Sequence, residues 1–208
     1  MKILVPAALL AIAALTPLTA QTPQGWKQRI DRSTSASDPD AAGEIKFVTM
    51  GSGFHATNPK AAVYWNPANT ASGNYTLKGT FVLQKPSGHP NYYGLVFGGS
   101  ALEGGEQAYN YFVIAQNGMW LIKSRAGDVT GNIAPKTAND AVKKPGDDGK
   151  SINALEVRVG GDKIDFVVNG TVVHSAPKAD KLAKTDGICG IRINHQLEVH
   201  IDGFGISK

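Results

Sequence analysis

The sequence predicts an all-β protein with the architecture of a two-sheet antiparallel β-sandwich, a jelly roll. Three observations support this fold class. Short runs rich in Val, Ile, Tyr and Phe recur along the chain, turn residues (Gly, Pro, Asn or Asp) bound each run, and Asn-Gly or Gly-Gly pairs join three successive pairs of runs. Strands of this kind between tight turns are typical of sandwiches, in which alternate side chains face a shared core.

Composition limits the function classes. A length of 208 residues is enough for one domain with a full core. The formal net charge is only +4, which is too small to indicate a nucleic-acid-binding protein. The single cysteine, Cys189, excludes an internal disulfide framework and a cysteine-based structural zinc site. Because Cys189 lies in a strand-like run, we expect it to be a buried free thiol.

Residues 1–20 are predicted to be a secretory signal peptide. Lys2 gives a positive start, residues 3–15 are almost entirely apolar, and residues 16–20 end in small side chains. The apolar run is shorter than the roughly 20 residues that a membrane-spanning helix needs. We therefore expect cleavage after Ala20 and a secreted or periplasmic protein that has no contact with the membrane after cleavage. An uncleaved anchor is the alternative.

The remaining chain is predicted to consist of a polar leader and one domain. Residues 21–43 are polar, rich in turn residues and without a period. Residues 44–208 form the predicted β-sandwich domain, with two short segments, near 139–144 and 177–184, that could be helical. Its strand-like runs are EIKFVTM, AVYWN, YTLKGTFVLQ, YYGLVFGG, AYNYFVIAQ, MWLIKSR, ALEVRV, KIDFVVN, TVVHS, ICGIRIN and LEVHIDGFGI.

Three glycine-containing pairs predict tight β-hairpins. The Asn-Gly pair at 117–118 separates YFVIAQ from MWLIK, and the pair at 169–170 separates KIDFVV from TVVHS. Asn and Gly accept the positive φ angles of type I′ turns, which match the twist of paired strands. The Gly-Gly pair at 160–161 is interpreted in the same way, as a two-residue turn that places Glu156 opposite Asp165.

The same register predicts a polar cluster on one side of these strands. Asp165 would also face His174, so that Glu156, Asp165 and His174 share one face. A solvated outer face is one interpretation, and a divalent-metal or acid–base site is the alternative.

Several segments resemble a known superfamily. They are YYGLVFGG (92–99), YNYFVIAQNGMWLIK (109–123), NALEVRVGGDKIDFVVNGTVVHS (153–175) and TDGICGIRINHQLEVHIDGFGISK (185–208). The C-terminal segment has three elements in succession: a strand with the pattern Gly-x-x-Gly, a turn that contains His195, and a last strand before the C-terminus. In these features the chain is similar to the concanavalin A-like lectin and glucanase superfamily. It resembles most the domain family named for 3-keto-disaccharide hydrolases, which is similar to family-sixteen glycoside hydrolases and common in secreted bacterial proteins. The resemblance implies a jelly roll with a concave face, where relatives bind or process carbohydrate.

One departure from this superfamily bears on catalysis. Its glucanases carry a Glu-x-Asp-x-Glu strand, and no such run exists here. Retaining hydrolysis needs two carboxyl groups about 5–5.5 Å apart, and no single strand of this sequence offers that pair.

Aromatic residues concentrated in the middle strands are the predicted ligand-binding residues. Sugar rings stack on aromatic planes through their C–H faces, while neighbouring polar groups bind the hydroxyls. The predicted ligand-binding residues are Trp65, Tyr92, Tyr93, Tyr109, Tyr111 and Trp120, with Arg125 as a polar neighbour. Aromatic side chains are equally good core filler. Because strands 92–99 and 108–125 are apolar on both faces, either a ligand or the leader 21–43 is expected to cover the second face.

These observations predict an exported module that binds an oligo- or polysaccharide and lacks an evident catalytic carboxylate pair. One alternative is an enzyme that hydrolyses or eliminates 3-keto-glycosides, with a base and an oxyanion stabiliser among His89, Glu103, Glu106, Arg125 and His195. A second alternative is an extracellular interaction or assembly protein. The histidines show neither HExxH nor His-x-His spacing, so neither a metal nor another cofactor is expected.

Overall fold

The part of the protein that the structure describes consists of two antiparallel sheets of seven strands each, which confirms the predicted β-sandwich. The structure is a computed structural model that describes residues 22–31 and 38–208. In these ranges there is no α-helix, and only Asp180–Leu182 forms a short 3₁₀ turn. No helix in the described ranges is long and apolar enough to cross a membrane. The predicted signal peptide, 1–20, lies outside the described residues.

The described residues contain fourteen strands. In chain order they are β1 (Lys27–Ile30), β2 (Lys46–Met50), β3 (Gly53–Asn58), β4 (Ala62–Ala71), β5 (Tyr75–Lys85), β6 (Tyr92–Ser100), β7 (Ala108–Ala115), β8 (Met119–Ala126), β9 (Val129–Ala138), β10 (Ser151–Val159), β11 (Lys163–Val168), β12 (Thr171–Pro177), β13 (Gly187–Ile193) and β14 (Leu197–Ser207). The first sheet has the order β1-β4-β13-β6-β7-β8-β9, and the second has the order β12-β11-β10-β5-β14-β3-β2.

The main core lies between the two sheets and follows from strand alternation. In β10, Leu155, Val157 and Val159 are buried, and the residues between them are more exposed. Strands β6 and β7 are different, because almost every residue of both is buried. The first sheet is therefore apolar on both faces, as the sequence predicts, and one face needs a cover other than the second sheet.

The Asn-Gly pairs form hairpin turns as predicted. Val168 and Thr171 pair directly, so that Asn169 and Gly170 form a two-residue turn with φ values of 49° and 82°. Positive φ at both positions is the mark of a type I′ turn. The pair at 117–118 instead closes a three-residue loop, in which the Gly118 amide donates to the Ala115 carbonyl at 3.1 Å.

The register predicted for the Gly-Gly hairpin is wrong. Asp165 pairs with Arg158, and not with Glu156, because the turn extends to Lys163 and shifts the pairing by two residues. A bulge in β12, where Val173 is the extra residue, then places His174 opposite Phe166. His174 therefore does not join Glu156 and Asp165, and the predicted polar cluster does not form.

The described part of the leader packs against the sandwich. Strand β1, which falls within residues 21–43, pairs with β4 at the edge of the first sheet. Trp26 does not cover the outer face of that sheet, but packs against Phe47, Phe54 and Phe204 at the margin of the main core. These contacts attach the start of the described chain to both sheets.

Cys189 is a free thiol and is fully buried, as expected. Burial raises the pKa of this thiol to about 12. A thiol that remains protonated is a poor nucleophile, so Cys189 acts as a small core side chain.

Gly190 is expected to be needed for the close approach of β13 to β4. A Cβ atom at this position would lie 2.3 Å from the Tyr64 carbonyl oxygen, a backbone atom that cannot swing aside. The substitution Gly190→Ala should lower the free energy of unfolding by about 1–3 kcal/mol, measured by urea denaturation. Gly161→Ala is the matched control, because nothing lies within 4 Å of its Cβ position. Equal stability of the two variants would contradict this packing.

Candidate functional site

The outer face of the first sheet, the side turned away from the second sheet, carries its own buried cluster. The cluster consists of Val63, Trp65, Tyr92, Val96, Leu102, Tyr109, Tyr111, Val113, Ala115 and Leu121. The alternation of β7 explains this arrangement, since Tyr109, Tyr111 and Val113 point outward while Phe112 and Ile114 point into the main core. Aromatic residues gathered on a face without a second sheet over it mark this side as the candidate site.

The predicted site residues divide between the two faces. Trp65, Tyr92, Tyr109 and Tyr111 belong to the outer cluster, and Arg125 pairs with Tyr109 along the β7–β8 ladder. Tyr93 and Trp120 point the other way and are core residues.

The prediction that Tyr93 and Trp120 contact a ligand therefore needs correction. Tyr93 is 0% exposed and Trp120 is 3% exposed, and both pack inside the sandwich. The physical reason is that adjacent strand residues point to opposite faces, so Tyr92 and Tyr93 cannot serve the same site.

Trp65 lies on the outer face but is covered by the chain itself. Leu102 and Ile188 pack in the same cluster as Trp65, which is 1% exposed. The loop after β6 is attached to β1 across this region, because Lys27 pairs with Glu103 and the Arg29 guanidinium donates to the Gly104 carbonyl. This half of the face is closed.

A buried carboxylate organises the middle of the outer face. Asp31, directly after β1, accepts hydrogen bonds from the Arg192 guanidinium at 2.5 Å and from the Tyr109 hydroxyl at 3.0 Å. The Arg125 guanidinium lies 3.4 Å from the same carboxylate oxygen, and Arg29 lies 3.6 Å from the other. The carboxylate of the leader is therefore the counter-ion of the outer-face arginines.

These contacts set the ionisation of Asp31. Burial raises the pKa of its carboxyl, but Arg192, Arg125 and the Tyr109 hydroxyl outweigh burial and hold the pKa below its ordinary value. Arg192 also lies over the Tyr111 ring, 5.0 Å from the centroid, in a cation–π contact. Asp31 and Arg192 thus fix the position of Tyr111.

Beside this network the outer face opens into a cavity of about 280 Å³. Tyr92 and Tyr111 contribute aromatic rings to its wall, and Lys123, Lys136 and Arg192 contribute cations. The full lining is Asp38, Pro90, Asn91, Tyr92, Tyr111, Val113, Leu121, Lys123, Thr130, Lys136, Arg192 and Asn194.

The two lysines of this cavity have no carboxylate partner among the described residues. Lys136 lies 5.5 Å from the centre of the Tyr92 ring. Desolvation and the neighbouring charges of Lys136 and Arg192 lower the pKa of Lys123. Mutually repelling cations in a partly desolvated cavity are stabilised by an anionic ligand.

A cluster of histidine and carboxylate groups lies at the rim of the cavity. His195 Nε2 is 2.6 Å from Asp38 Oδ1, and His195 Nδ1 is 3.0 Å from Asp40 Oδ1. His89 Nε2 also contacts Asp38 Oδ1. Of the groups named as possible bases, His89 and His195 are therefore together, while Glu103 is paired with Lys27 at the closed half of the face.

Sequence reasoning missed four residues of the outer face: Asp31, Lys123, Lys136 and Arg192. Lys123 could have been found from the alternation of β8, because it lies two residues from Arg125 and shares its face. No local sequence pattern marks Asp31, because its hydrogen-bond partners Tyr109 and Arg192 lie 78 and 161 residues away in sequence.

No protein-family model matches the sequence, and no curated protein is significantly similar to it. Solved structures show the fold. The carbohydrate-binding module CBM66 from Bacillus subtilis has a TM-score of 0.62 at 8% identity, with coverage of 88% of this chain and 96% of that chain. A Bacteroides ovatus GH16 protein of a mixed-linkage glucan PUL, in complex with a product, has a TM-score of 0.58 at 7% identity, covering 88% and 95%.

A third structure has the same architecture. A Bacillus subtilis protein of unknown function with a galectin-like fold has a TM-score of 0.55 at 13% identity, covering 87% of this chain and 88% of that chain. These similarities show the fold alone, a two-sheet β-sandwich that the chain shares with the three structures.

Replacing Asp31 by Asn should destabilise the protein in a pH-dependent manner. At pH 7 the loss leaves Arg192 buried without its counter-ion, which should cost about 3–5 kcal/mol of unfolding free energy. Because the pKa of Asp31 is lowered on folding, its contribution is present above the unfolded pKa of about 3.9 and is lost as the pH falls below it. The difference between wild type and Asp31→Asn should therefore shrink below about pH 4.

Urea denaturation at pH 7 and at pH 3 measures this difference. Asp128→Asn is the control, since Asp128 also pairs with Arg125 but its side chain is 95% exposed. A difference between wild type and Asp31→Asn that is the same at both pH values would contradict the assigned ionisation.

Proposed function

We propose that the protein is an exported carbohydrate-binding β-sandwich module and that the outer-face cavity binds an acidic oligo- or polysaccharide. The observation that carries the proposal is the presence, in one cavity, of aromatic rings and of two lysines that pair with no carboxylate of the described residues. Tyr92 and Tyr111, which are 7% and 5% exposed, line the cavity with aromatic rings, and Lys123 and Lys136 provide positive charge next to them.

This combination suits sugars that carry a carboxylate or a sulfate. The apolar C–H faces of a pyranose pack on aromatic rings, as other apolar groups do. Ammonium groups bind anionic oxygens through charge-assisted hydrogen bonds, which are stronger than those to neutral hydroxyls. Arg192 completes the cationic wall. Because Asp31 neutralises the charge of Arg192, the net positive charge of this wall comes from the two lysines.

The fold supports carbohydrate binding. One of the structures that share the architecture is named as a carbohydrate-binding module, and another contains a glucan product. Export is supported by the signal-peptide pattern of residues 1–20.

A binding role without a catalytic carboxylate pair is supported by the composition of the central strands beneath the site. The strands β6, β7, β8 and β13, which form the centre of the first sheet, contain neither Asp nor Glu. Asp31, which enters the face from the leader, is held by two arginines and has a lowered pKa, which suits a fixed counter-ion better than a proton donor.

Affinity measurements against acidic and neutral polysaccharides test this proposal. The protein should bind a polyuronate such as alginate or pectate, or a sulfated polysaccharide, in preference to a neutral glucan. Lys123→Ala should weaken binding about tenfold or more, since a hydrogen bond to a charged group contributes about 1.5–3 kcal/mol. Tyr111→Ala should also weaken it through lost stacking.

Lys163→Ala is the matched control. Lys163 is also a strand lysine, but it lies on the second sheet, where it pairs with Asp165 at 3.2 Å. Binding of the control should equal that of the wild type. Preference for neutral over acidic polysaccharides, or equal losses in Lys123→Ala and Lys163→Ala, would contradict the proposal.

The second candidate function is an enzyme acting on 3-keto-glycosides. The observation that favours it is the presence of His89 and His195 at the rim of the cavity, where an imidazole is a suitable general base for a proton next to a ketone. Product formation from a 3-keto-glycoside, and its loss in His89→Ala, distinguishes this function from binding alone. Absence of product at high protein concentration would contradict it.

A further inference from the structure

Three side chains from distant parts of the chain direct potential metal ligands to one point. Asp38 Oδ1, His89 Nε2 and His195 Nε2 all lie within 4.8 Å of one another. Asp38 comes from the leader, His89 from the loop between β5 and β6, and His195 from the turn between β13 and β14. In residues 22–31 and 38–208, this is the one cluster of three or more such side chains.

We infer that Asp38, His89 and His195 form a binding site for a divalent transition-metal ion, best matched by Zn²⁺. The inference stands apart from carbohydrate binding, because ion retention is measured without any saccharide.

The donor set decides the class of ion. Imidazole nitrogens suit zinc and its neighbours in the first transition series, whereas Ca²⁺ and Mg²⁺ take oxygen ligands. Two histidines and one carboxylate are also the protein ligands of catalytic zinc sites, which leave a further position open. The site is therefore expected to prefer zinc over calcium.

A second carboxylate fixes the orientation of the buried histidine. His195 is 4% exposed, and its Nδ1 lies 3.0 Å from Asp40 Oδ1. With an ion bound at Nε2, the proton of the ring would be on Nδ1, where Asp40 is placed to accept it. Metal-bound histidines almost always have such a partner on the second ring nitrogen, because it sets the tautomer and increases ligand basicity.

The loops that carry the two histidines are held together by hydrogen bonds. The Asn91 side-chain amide donates to the His195 carbonyl at 2.9 Å, and the Asn194 amide donates to the Tyr92 carbonyl at 2.9 Å. The histidines are thus positioned independently of Asp38. Asp38, in the second described part of the leader, then supplies the third ligand.

The size of the ion requires a small movement of one ligand. Ligands at about 2.0–2.2 Å in a tetrahedral site lie about 3.3 Å from one another. The Asp38 oxygen lies closer than this to the Nε2 atoms of both His195 and His89, so it has to move away from them to admit the ion. Asp38 can do so because its side chain is 35% exposed, while His195 is packed in place.

The ion would lie next to the proposed saccharide cavity. Asp38 and Asn91 line that cavity. A coordination position left open by the three protein ligands is therefore within reach of a ligand in the cavity. The metal site would connect the leader to ligand binding.

Sequence spacing did not reveal this site, and the expectation of no metal rested on that spacing. His89 and His195 are 106 positions apart and Asp38 is 51 positions before His89. Fixed motifs such as HExxH report only ligands on one helix or loop, so a site assembled from a leader and two loops leaves no local pattern.

Metal retention by the purified protein tests the inference. The protein is loaded with ZnCl₂, dialysed extensively and assayed by atomic emission, with affinity from isothermal titration calorimetry. We expect about one zinc per chain, and a Co²⁺-loaded sample should show the visible absorption of a low-coordinate site. His89→Ala should abolish retention, and Asp40→Asn should weaken affinity by about 10–100-fold while the cobalt spectrum remains.

A second histidine pair provides the control. His200 lies 3.1 Å from Asp202, and its ring is 6.2 Å from that of His55, yet these groups do not converge on one point. His200→Ala should therefore retain zinc as the wild type does. Because His89 has an exposed side chain (38%), His89→Ala should unfold at the wild-type temperature in EDTA.

Each outcome decides the inference. Retention in the wild type and in His200→Ala, together with loss in His89→Ala, supports the site. Absence of zinc in the dialysed wild type, or equal retention by wild type and His89→Ala, overturns it. If His89→Ala unfolds at a lower temperature in EDTA, His89→Gln replaces it as the decisive variant under the same two criteria.

Discussion

The ion pair between Asp31 and Arg192 is the interaction on which the architecture of the outer face depends. Arg192 projects from the centre of the first sheet, where an unpaired guanidinium would be costly to bury. Asp31 neutralises it, orients the Tyr109 hydroxyl and approaches Arg125. One carboxylate from the N-terminal segment thus connects strands β1, β13, β7 and β8, and holds the arginine in place over Tyr111.

The outer faces of the two sheets carry different types of side chain, and this difference indicates which face holds the candidate site. On the second sheet, β10 and β11 expose local ion pairs such as Glu156 with Arg158 and Lys163 with Asp165. Those charges compensate each other within the surface. On the first sheet the outward residues of the cluster are apolar, with cationic residues beside them, and Lys123 and Lys136 pair with no described carboxylate. An apolar, positively charged face is therefore available for an anionic partner.

The sequence predicts the fold well because its signals are local. Turn chemistry at Asn169 and Gly170 sets a hairpin directly, and the composition of β6 and β7 shows that both of their faces are buried. It is harder to predict which face of a strand packs against the second sheet, because a one-residue change of register moves every side chain of that strand to the opposite face. The placement of Tyr93 and Trp120 at a ligand surface failed for this reason.

The site is less predictable because its key contacts are distant in sequence. Asp31 contacts Arg192, and Asp38 contacts His195. Both carboxylates belong to the leader, whose polar composition resembles that of a linker. Polar residues in such a segment have no periodicity that would reveal their partners. Only the folded chain shows that the leader supplies the carboxylates that the central strands of the first sheet lack.

The most direct measurement of the central claim is an amide chemical-shift titration of the isotope-labelled protein with a short polyuronate oligosaccharide. If the ligand occupies the outer-face cavity, the largest shifts should fall on β7, β8 and β13, around Tyr111, Lys123 and Arg192. Shifts concentrated on β10 and β11 of the second sheet, or none at a saturating concentration of oligosaccharide, would contradict the claim.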